Sequence, residues 1–132
     1  MPRAFEPVSA GVEALGSKAL DAAFAVHREL GPGLLESVYE ACVCRELQAL
    51  GVNFQRQVAV PVRYRDITLE AGLRLDVLVG GHVILELKAV ESVLPIHEAQ
   101  LMTYLRLTGC RLGFLINFNV RMLRDGIKRV VI

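Results

Sequence analysis

The residues most able to do chemistry lie close together in the middle of the chain. Asp76 and Glu86 are separated by nine residues, and Lys88 follows Glu86 by two positions. Glu86 and Lys88 lie in the apolar stretch VILELKAV, which is typical of a strand buried on both faces. The side-chain period of two puts both charges on one face of that strand. Two charges inside a core strand indicate a functional site.

The segments around these residues predict a β-hairpin. Residues 73–79 and 82–90 are apolar arms separated by a pair of glycines. Each arm has one unbroken apolar row, and burying both rows on one side requires cross-strand partners whose numbers sum to an even value. A three-residue loop with glycine at a position of positive φ provides this register. The register places Asp76 opposite Glu86.

Paired carboxylates in this position favour a metal site. Two carboxylates within about 5 Å repel each other at a cost of ~1 kcal/mol or more unless a cation lies between them. Mg²⁺ takes one or two carboxylates and keeps several waters, which leaves positions for phosphate oxygens and an attacking water. We therefore interpret Asp76 and Glu86 as metal ligands, with Lys88 orienting that water or stabilising the charge on the phosphate.

A purely structural alternative explains the same pattern. In it, Glu86 and Lys88 form a partly exposed ion pair on the solvent face of an antiparallel sheet. Asp76 then pairs with Arg74 or Arg106. Alternation of polar and apolar residues is ordinary in sheets, so the pattern alone leaves both interpretations open.

The rest of the chain supplies the elements that must position these residues. Helical apolar spacing and stop signals predict helices over residues 9–30, 35–50 and 96–107. Apolar runs bounded by turn residues predict strands over residues 54–64, 73–79, 82–90, 111–118 and 127–132. The order α-α-β-β-β-α-β-β predicts an α/β (α+β) fold with a central mixed sheet flanked by helices.

Length and composition predict one folded domain. The chain has 132 residues, of which 53% are hydrophobic and 22% charged, and this excludes a disordered protein. We expect a flexible segment over residues 1–8 and a single domain over residues 9–132. The three cysteines lack the paired spacing of a zinc or redox motif, which favours free thiols in a reducing cytoplasm. No apolar run reaches the roughly 20 residues of a membrane span.

Charge does not identify a nucleic-acid binder. The formal net charge is +1, so the whole molecule has no strong attraction for phosphates. Residues 121–129 concentrate four cations around one aspartate, a stretch that could follow phosphates or form an ordinary solvated surface.

Two motifs resemble a known superfamily. Asp76, nine intervening residues and then Glu86-Leu87-Lys88 resemble the motif of the PD-(D/E)XK nucleases. The stretch GLLESVY at residues 33–39 resembles the signature of the GxxExxY family, a small-domain branch of that superfamily. The likeness extends over nearly the whole chain. One departure is a leucine in place of the proline that precedes the aspartate in the motif.

The resemblance implies a restriction-endonuclease-like core, a Mg²⁺ or Mn²⁺ cofactor, and DNA or RNA as partner. Asp76 and Glu86 then match the metal-binding acids and Lys88 the catalytic lysine. The first core helix of the superfamily often contributes a glutamate, which is Glu36 here as a third metal ligand. The second contributes a glutamine or basic residue, which is Gln100 here as a catalytic residue.

Further side chains on these helices are candidate substrate contacts. Tyr39 is three residues from Glu36 and shares its helix face. His97 and Tyr104 form a polar stripe with Gln100 on the third helix. Simpler interpretations stay open, because an acid at a helix start suits the dipole and a histidine there is often a surface residue.

These observations predict a metal-dependent nuclease that hydrolyses phosphodiester bonds. The alternative is a catalytically silent module that keeps the nuclease fold and binds nucleic acid or protein. A domain of this size would need a second copy to grip a duplex, so we expect a homodimer. We expect it in the cytoplasm, with no membrane association.

Overall fold

A computed structural model describes residues 6–132 and contains three helices. They are α1 (Ala10–Leu30), α2 (Glu36–Ala49) and α3 (Pro95–Thr108). Ser9 caps the start of α1, where its hydroxyl oxygen accepts from the Val12 amide. The three helices lie within three residues of the bounds predicted from the sequence.

Seven strands form two sheets. They are β1 (Phe54–Ala59), β2 (Val62–Tyr64), β3 (Ile67–Leu69), β4 (Arg74–Val79), β5 (Val83–Lys88), β6 (Leu112–Asn117) and β7 (Ile127–Val131). The main sheet has the order β1-β4-β5-β6-β7, and β2 pairs with β3 in a small separate sheet. Strands β5 and β6 are parallel and the other pairs are antiparallel. A mixed sheet flanked by helices confirms the predicted fold class.

Helices cover both faces of the main sheet. On one face α1 and α2 pack over a core that includes Val83, Leu85 and Leu87 of β5. On the other face α3 packs over a second core that includes Ile84 and Leu115. The central strand β5 is therefore buried on both sides, as its apolar sequence predicts.

The strand order departs from the prediction between β1 and β4. The predicted strand over residues 54–64 is two strands, because Pro61 cannot donate a ladder hydrogen bond and the chain leaves the sheet there. No strand is predicted over the residues of β3, which pairs with β2. The observed order is α-α-β-β-β-β-β-α-β-β, with the β2–β3 ribbon exposed on the surface.

Three further expectations concern the N-terminal segment, the cysteines and membrane spans. Residues 1–5 of the expected flexible segment lie outside the described residues, while the backbone carbonyls of Glu6 and Pro7 accept from the Arg111 guanidinium. All three cysteines are free, and burial raises the pKa of the Cys44 thiol to about 11. In the part of the chain described, no helix is both long enough and apolar enough to cross a bilayer.

Candidate metal centre

The hairpin has the register that the sequence predicts. Val79 pairs with Val83 and Val77 with Leu85, so the partner numbers have the even sum that places Asp76 opposite Glu86. The connection is a three-residue loop whose two glycines have φ of 57° and 75°. The apolar core and the loop together fix this register, since a slip of one residue would expose the core rows.

Two crossed hydrogen bonds hold the carboxylates side by side. The Asp76 amide donates to Glu86 Oε2 at 2.9 Å, and the Leu87 amide donates to Asp76 Oδ2 at 2.8 Å. Each acid thus accepts an amide from the opposite strand just beyond the last ladder pair. Backbone amides therefore make the two short hydrogen bonds that position the carboxylates.

The apolar row along β4 changes face at Asp76. Val77 and Val79 lie in the core under α1 and α2, whereas Leu75 lies in the core under α3. The expectation that residues 73–79 keep one apolar face is therefore wrong. The ladder with β1 skips the position opposite Asp76, where Gln57 has a φ of 50°. This irregularity explains why the strict alternation fails at the site.

Burial and repulsion perturb the pair strongly. Glu86 is 5% exposed, and burial together with the Asp76 charge raises the pKa of Glu86 to about 8. Within residues 6–132, no ion pair involves either acid. The alternative of an exposed ion pair on a solvent face is therefore wrong for Glu86, because both faces of the sheet are covered.

Lys88 ends β5 and is partly buried. It pairs in register with Asn117 of β6, whose side-chain amide binds both backbone groups of Val90 at 3.1 and 2.9 Å. This clamp fixes the chain immediately after Lys88. Asn117 thus has a structural role, because its side-chain amide binds the backbone of Val90.

The predicted third acid lies on the rim of the site. Glu36 is exposed at the first turn of α2 and lines a cleft of about 290 Å³ together with Asp76 and Leu87. In the described range, no group of three or more His, Cys, Asp or Glu residues is close enough to hold a metal ion. The expected cluster of three acids is therefore not assembled, and only Asp76 and Glu86 lie together.

A two-carboxylate site still suits a small divalent cation. Mg²⁺ is commonly bound by one or two carboxylates, with waters completing its coordination. The crossed bonds leave Glu86 Oε1 without a protein donor in the described structure and give Asp76 Oδ1 only a long contact of 3.4 Å. The donor set and the unrelieved repulsion both fit such an ion.

The sequence analysis missed a second acid on α2. Glu40 is buried, binds Arg56 through a 3.0 Å ion pair, and accepts from Gln57 at 2.8 Å. It lines the same cleft as Glu36, one helical turn away. The i,i+4 spacing could have identified Glu40, whereas nothing in the local sequence signals the positive φ of Gln57.

Comparison with known proteins decides the family. Residues 13–130 match a family model described as the PD-(D/E)XK nuclease superfamily. The chain belongs to this superfamily. The matched range includes every candidate site residue. No curated protein and no solved structure matches significantly. PD-(D/E)XK nucleases generally use divalent metal ions, and the two-carboxylate arrangement described above agrees with that chemistry.

Tyr104 of α3 lies in the core on the other face of the sheet from α1 and α2. Burial first, and then the charges of Glu86 and Asp76, raise the pKa of Tyr104. Gln100 is exposed and lines a separate cleft of about 130 Å³ with Tyr104, so the structure does not bring it to the carboxylates.

The other two predicted substrate contacts, His97 and Tyr39, form hydrogen bonds with nearby backbone groups. His97 Nδ1 accepts from the Leu94 amide at 3.0 Å and so caps α3. Tyr39 is fully buried, and its hydroxyl donates to the Gly31 carbonyl at 2.6 Å and accepts from the Leu34 amide at 3.1 Å. The ring of Tyr39 thus lies inside the core and its hydroxyl is already hydrogen-bonded to the backbone. Its contact with substrate stays a prediction.

Proposed function

We propose that this chain hydrolyses phosphodiester bonds of DNA or RNA, using Mg²⁺ or Mn²⁺ held by Asp76 and Glu86. The observation that carries the proposal is the crossed pair of carboxylates, fixed by backbone amides and lacking a cationic partner in the described structure. The raised pKa of Glu86 supports it, because a structural strand has no reason to keep this repulsion.

In this proposal, Lys88, the Leu87 carbonyl and Glu36 have separate roles around the carboxylate pair. A divalent cation at the pair would supply a Lewis acid and an activated water. Lys88, two residues after Glu86 at the fixed end of β5, orients that water and offsets the charge that develops on the phosphate. The Leu87 carbonyl and, through water, the Glu36 carboxylate add oxygen atoms near the pair.

The surface of α3 provides the substrate contacts in this proposal. Tyr104 is buried under α3, where burial and the charges of Glu86 and Asp76 raise its pKa, and Gln100 is exposed in the neighbouring cleft. Gln100 orients the substrate next to the reacting phosphate and does not touch the two acids. His97, partly exposed at the start of α3, offers a phosphate contact through its second ring nitrogen.

A silent binding module is the second candidate, and one observation favours it. Of the cations in residues 121–129, Lys128 pairs with Glu98 at 3.1 Å and Arg129 pairs with Glu13 at 2.7 Å. The other two cations, Arg121 and Arg124, are exposed and form no ion pair in the described residues, so they are available to bind phosphates. Affinity for nucleic acid that falls with salt, without turnover in Mg²⁺ or Mn²⁺, would identify this function.

Three finer assignments belong to the same proposal. We assign the chain to the GxxExxY branch, supported by Gly33, Glu36 and Tyr39 in the loop and first turn of α2. We also propose a homodimer and a cytoplasmic location. The free cysteines suit a reducing compartment, and the one carboxylate pair suits one cut per copy of the chain.

The experiment that tests the function is calorimetric titration of Mn²⁺ into the wild type, Asp76→Asn and Glu86→Gln, followed by a cleavage screen. We expect binding to the wild type and none to either variant, with cleavage of DNA or RNA by the wild type alone. Mn²⁺ binding that survives both substitutions would place the metal elsewhere and contradict the proposal. Binding without any cleavage would favour the silent module.

A further inference from the structure

Gln57 lies between a candidate metal ligand and α2. Its amide Nε2 donates to Glu40 Oε1 at 2.8 Å and to Asp76 Oδ1 at 3.4 Å. One amide group is therefore shared by two carboxylates from different elements. A small cation placed at that point would meet the same two oxygen atoms.

The backbone at Gln57 is held in an unfavourable conformation to make this contact. Its φ of 50° lies in the left-handed region, which residues other than glycine adopt rarely. Arg74 Nη1 donates to the Gln57 carbonyl at 3.1 Å and stabilises the irregular turn of the strand. Backbone strain of this kind concentrates at functional sites, where the surrounding structure maintains it.

The contact occupies the Asp76 oxygen that a metal ion would use. Asp76 Oδ2 already accepts from the Leu87 amide at 2.8 Å, so Oδ1 is the oxygen with the weaker partner. An amide N–H and a metal ion cannot both take one oxygen from the same direction, since each brings positive charge to it. The contact of Gln57 with Asp76 should break first, because its length of 3.4 Å is beyond the usual range of a hydrogen bond. The contact with Glu40, at 2.8 Å, is within that range.

We infer that Gln57 is a positioning residue that competes with the cation for Asp76 Oδ1 and thereby sets the cation affinity of the site. The inference rests on the proposed function, because it takes a divalent cation as the ligand of the Asp76–Glu86 pair. Glu40 keeps the amide anchored on α2 when it leaves Asp76. Arg56 compensates the charge of Glu40 through the 3.0 Å ion pair, so this anchor persists in both states.

The test is calorimetric titration of Mn²⁺ into the wild type and Gln57→Gly. Glycine adopts positive φ without strain and removes the amide, so the variant deletes the competitor and keeps the strand geometry. We expect Gln57→Gly to bind Mn²⁺ several-fold more tightly than the wild type. The matched control is Arg65→Gly, because Arg65 has a φ of 54° and does not line the cleft. This control should relieve similar strain and leave Mn²⁺ affinity unchanged.

A second measurement uses the wild type alone, so the inference stays testable if Gln57→Gly does not fold. Mg²⁺ titration followed by NMR should shift the side-chain amide signals of Gln57, and signals that stay unchanged at saturation would overturn the inference. Equal or weaker Mn²⁺ binding by Gln57→Gly, with binding abolished in Asp76→Asn, would also overturn it and leave the metal site intact. Failure of both wild type and Gln57→Gly to bind would refute the metal site itself.

Discussion

At the scale of single residues, the site is a problem of unrelieved charge. The backbone amide of Asp76 donates to Glu86, and the backbone amide of Leu87 donates to Asp76. Glu86 is almost fully buried. Without a cation, the pair is most stable with one shared proton, because two adjacent carboxylates cannot both ionise cheaply. Metal binding and protonation are therefore alternative ways to relieve the same repulsion.

The metal-free protein should lose stability as the pH rises. The pKa of Glu86 is about 8 in the folded chain against 4.5 for an ordinary glutamate, so the folded state holds a proton that the unfolded state releases between these values. The free energy of unfolding then falls through this window by at most about 1.4 kcal/mol per pH unit. Below the lower value both states are protonated and this dependence disappears.

Urea denaturation in EDTA across that window measures the effect. Glu86→Gln cannot titrate at this position, so its stability should fall less steeply than that of the wild type. Added Mn²⁺ should restore the wild type at high pH and leave Glu86→Gln unchanged. A wild type with the same stability at both ends of the window would show that Glu86 is not perturbed as the geometry requires.

Lys88→Ala should separate metal binding from cleavage. The substitution removes the charge that orients water and stabilises the phosphate, so cleavage should fall by at least about 10²-fold. Mn²⁺ affinity, measured by calorimetry, should remain close to that of the wild type. Lys128→Ala is the control, since Lys128 pairs with Glu98 on the surface and should keep full activity. Undiminished cleavage by Lys88→Ala would remove this lysine from the mechanism.

At the scale of elements, the two clefts depend on how their helices are fixed to the sheet, α2 for the cleft lined by Asp76 and α3 for the cleft lined by Gln100. Tyr39 binds the loop before α2 and stacks on Phe118 with ring centres 4.5 Å apart, so it sets where Glu36 and Glu40 lie. On the other face, Gly113 of β6 allows α3 to approach closely. Tyr39 and Gly113 therefore help to set the widths of the two clefts, although neither residue lines them.

Tyr39→Phe should destabilise the fold although it keeps the ring. The Gly31 carbonyl and the Leu34 amide both lose their bond to the hydroxyl, at a cost of about 1–3 kcal/mol in the free energy of unfolding. Chemical denaturation checks the value. Tyr64→Phe on the exposed β2–β3 ribbon is the matched control and should stay within about 0.5 kcal/mol of the wild type. Equal effects of the two substitutions would contradict the role of Tyr39.

Gly113→Ala should push α3 away from the sheet. The added methyl would lie 2.8 Å from a methyl carbon of Leu101 and 3.2 Å from the Ile84 carbonyl oxygen. We expect a loss of about 1–3 kcal/mol from overpacking, measured by denaturation. Gly11→Ala, in the first turn of α1 with open space around it, should instead raise stability. Opposite signs for these two substitutions would confirm the close approach of α3.

At the scale of the whole molecule, the described residues present one cleft that is lined by Asp76. Both faces of the sheet are covered by helices, so a single chain has little further surface with which to enclose a duplex. Two copies would provide two clefts, one for each strand. The expected result is a dimer in sedimentation equilibrium, with cleavage of duplex DNA rising more steeply than linearly with protein concentration. A monomer with full duplex activity would contradict this expectation.

Local sequence was sufficient for the fold class and the central pair. The glycine loop sets the register of the hairpin, and that register brings Asp76 opposite Glu86, although the apolar row of β4 changes face there. The helices were also predictable, since their apolar periodicity and capping residues act over a few neighbouring positions. These features depend on contacts near in sequence or on strict periodicity.

Only the tertiary structure decided how the rest of the site is arranged. Whether Glu36 reaches the carboxylates depends on the position of α2 over the sheet, and Tyr39 is buried because Phe118, far along the chain, packs against it. Gln57, on an edge strand and with a positive φ, forms hydrogen bonds with Glu40 and Arg74, which are both distant in sequence. Contacts between residues distant in sequence have no local signature, so propensity and spacing cannot predict them.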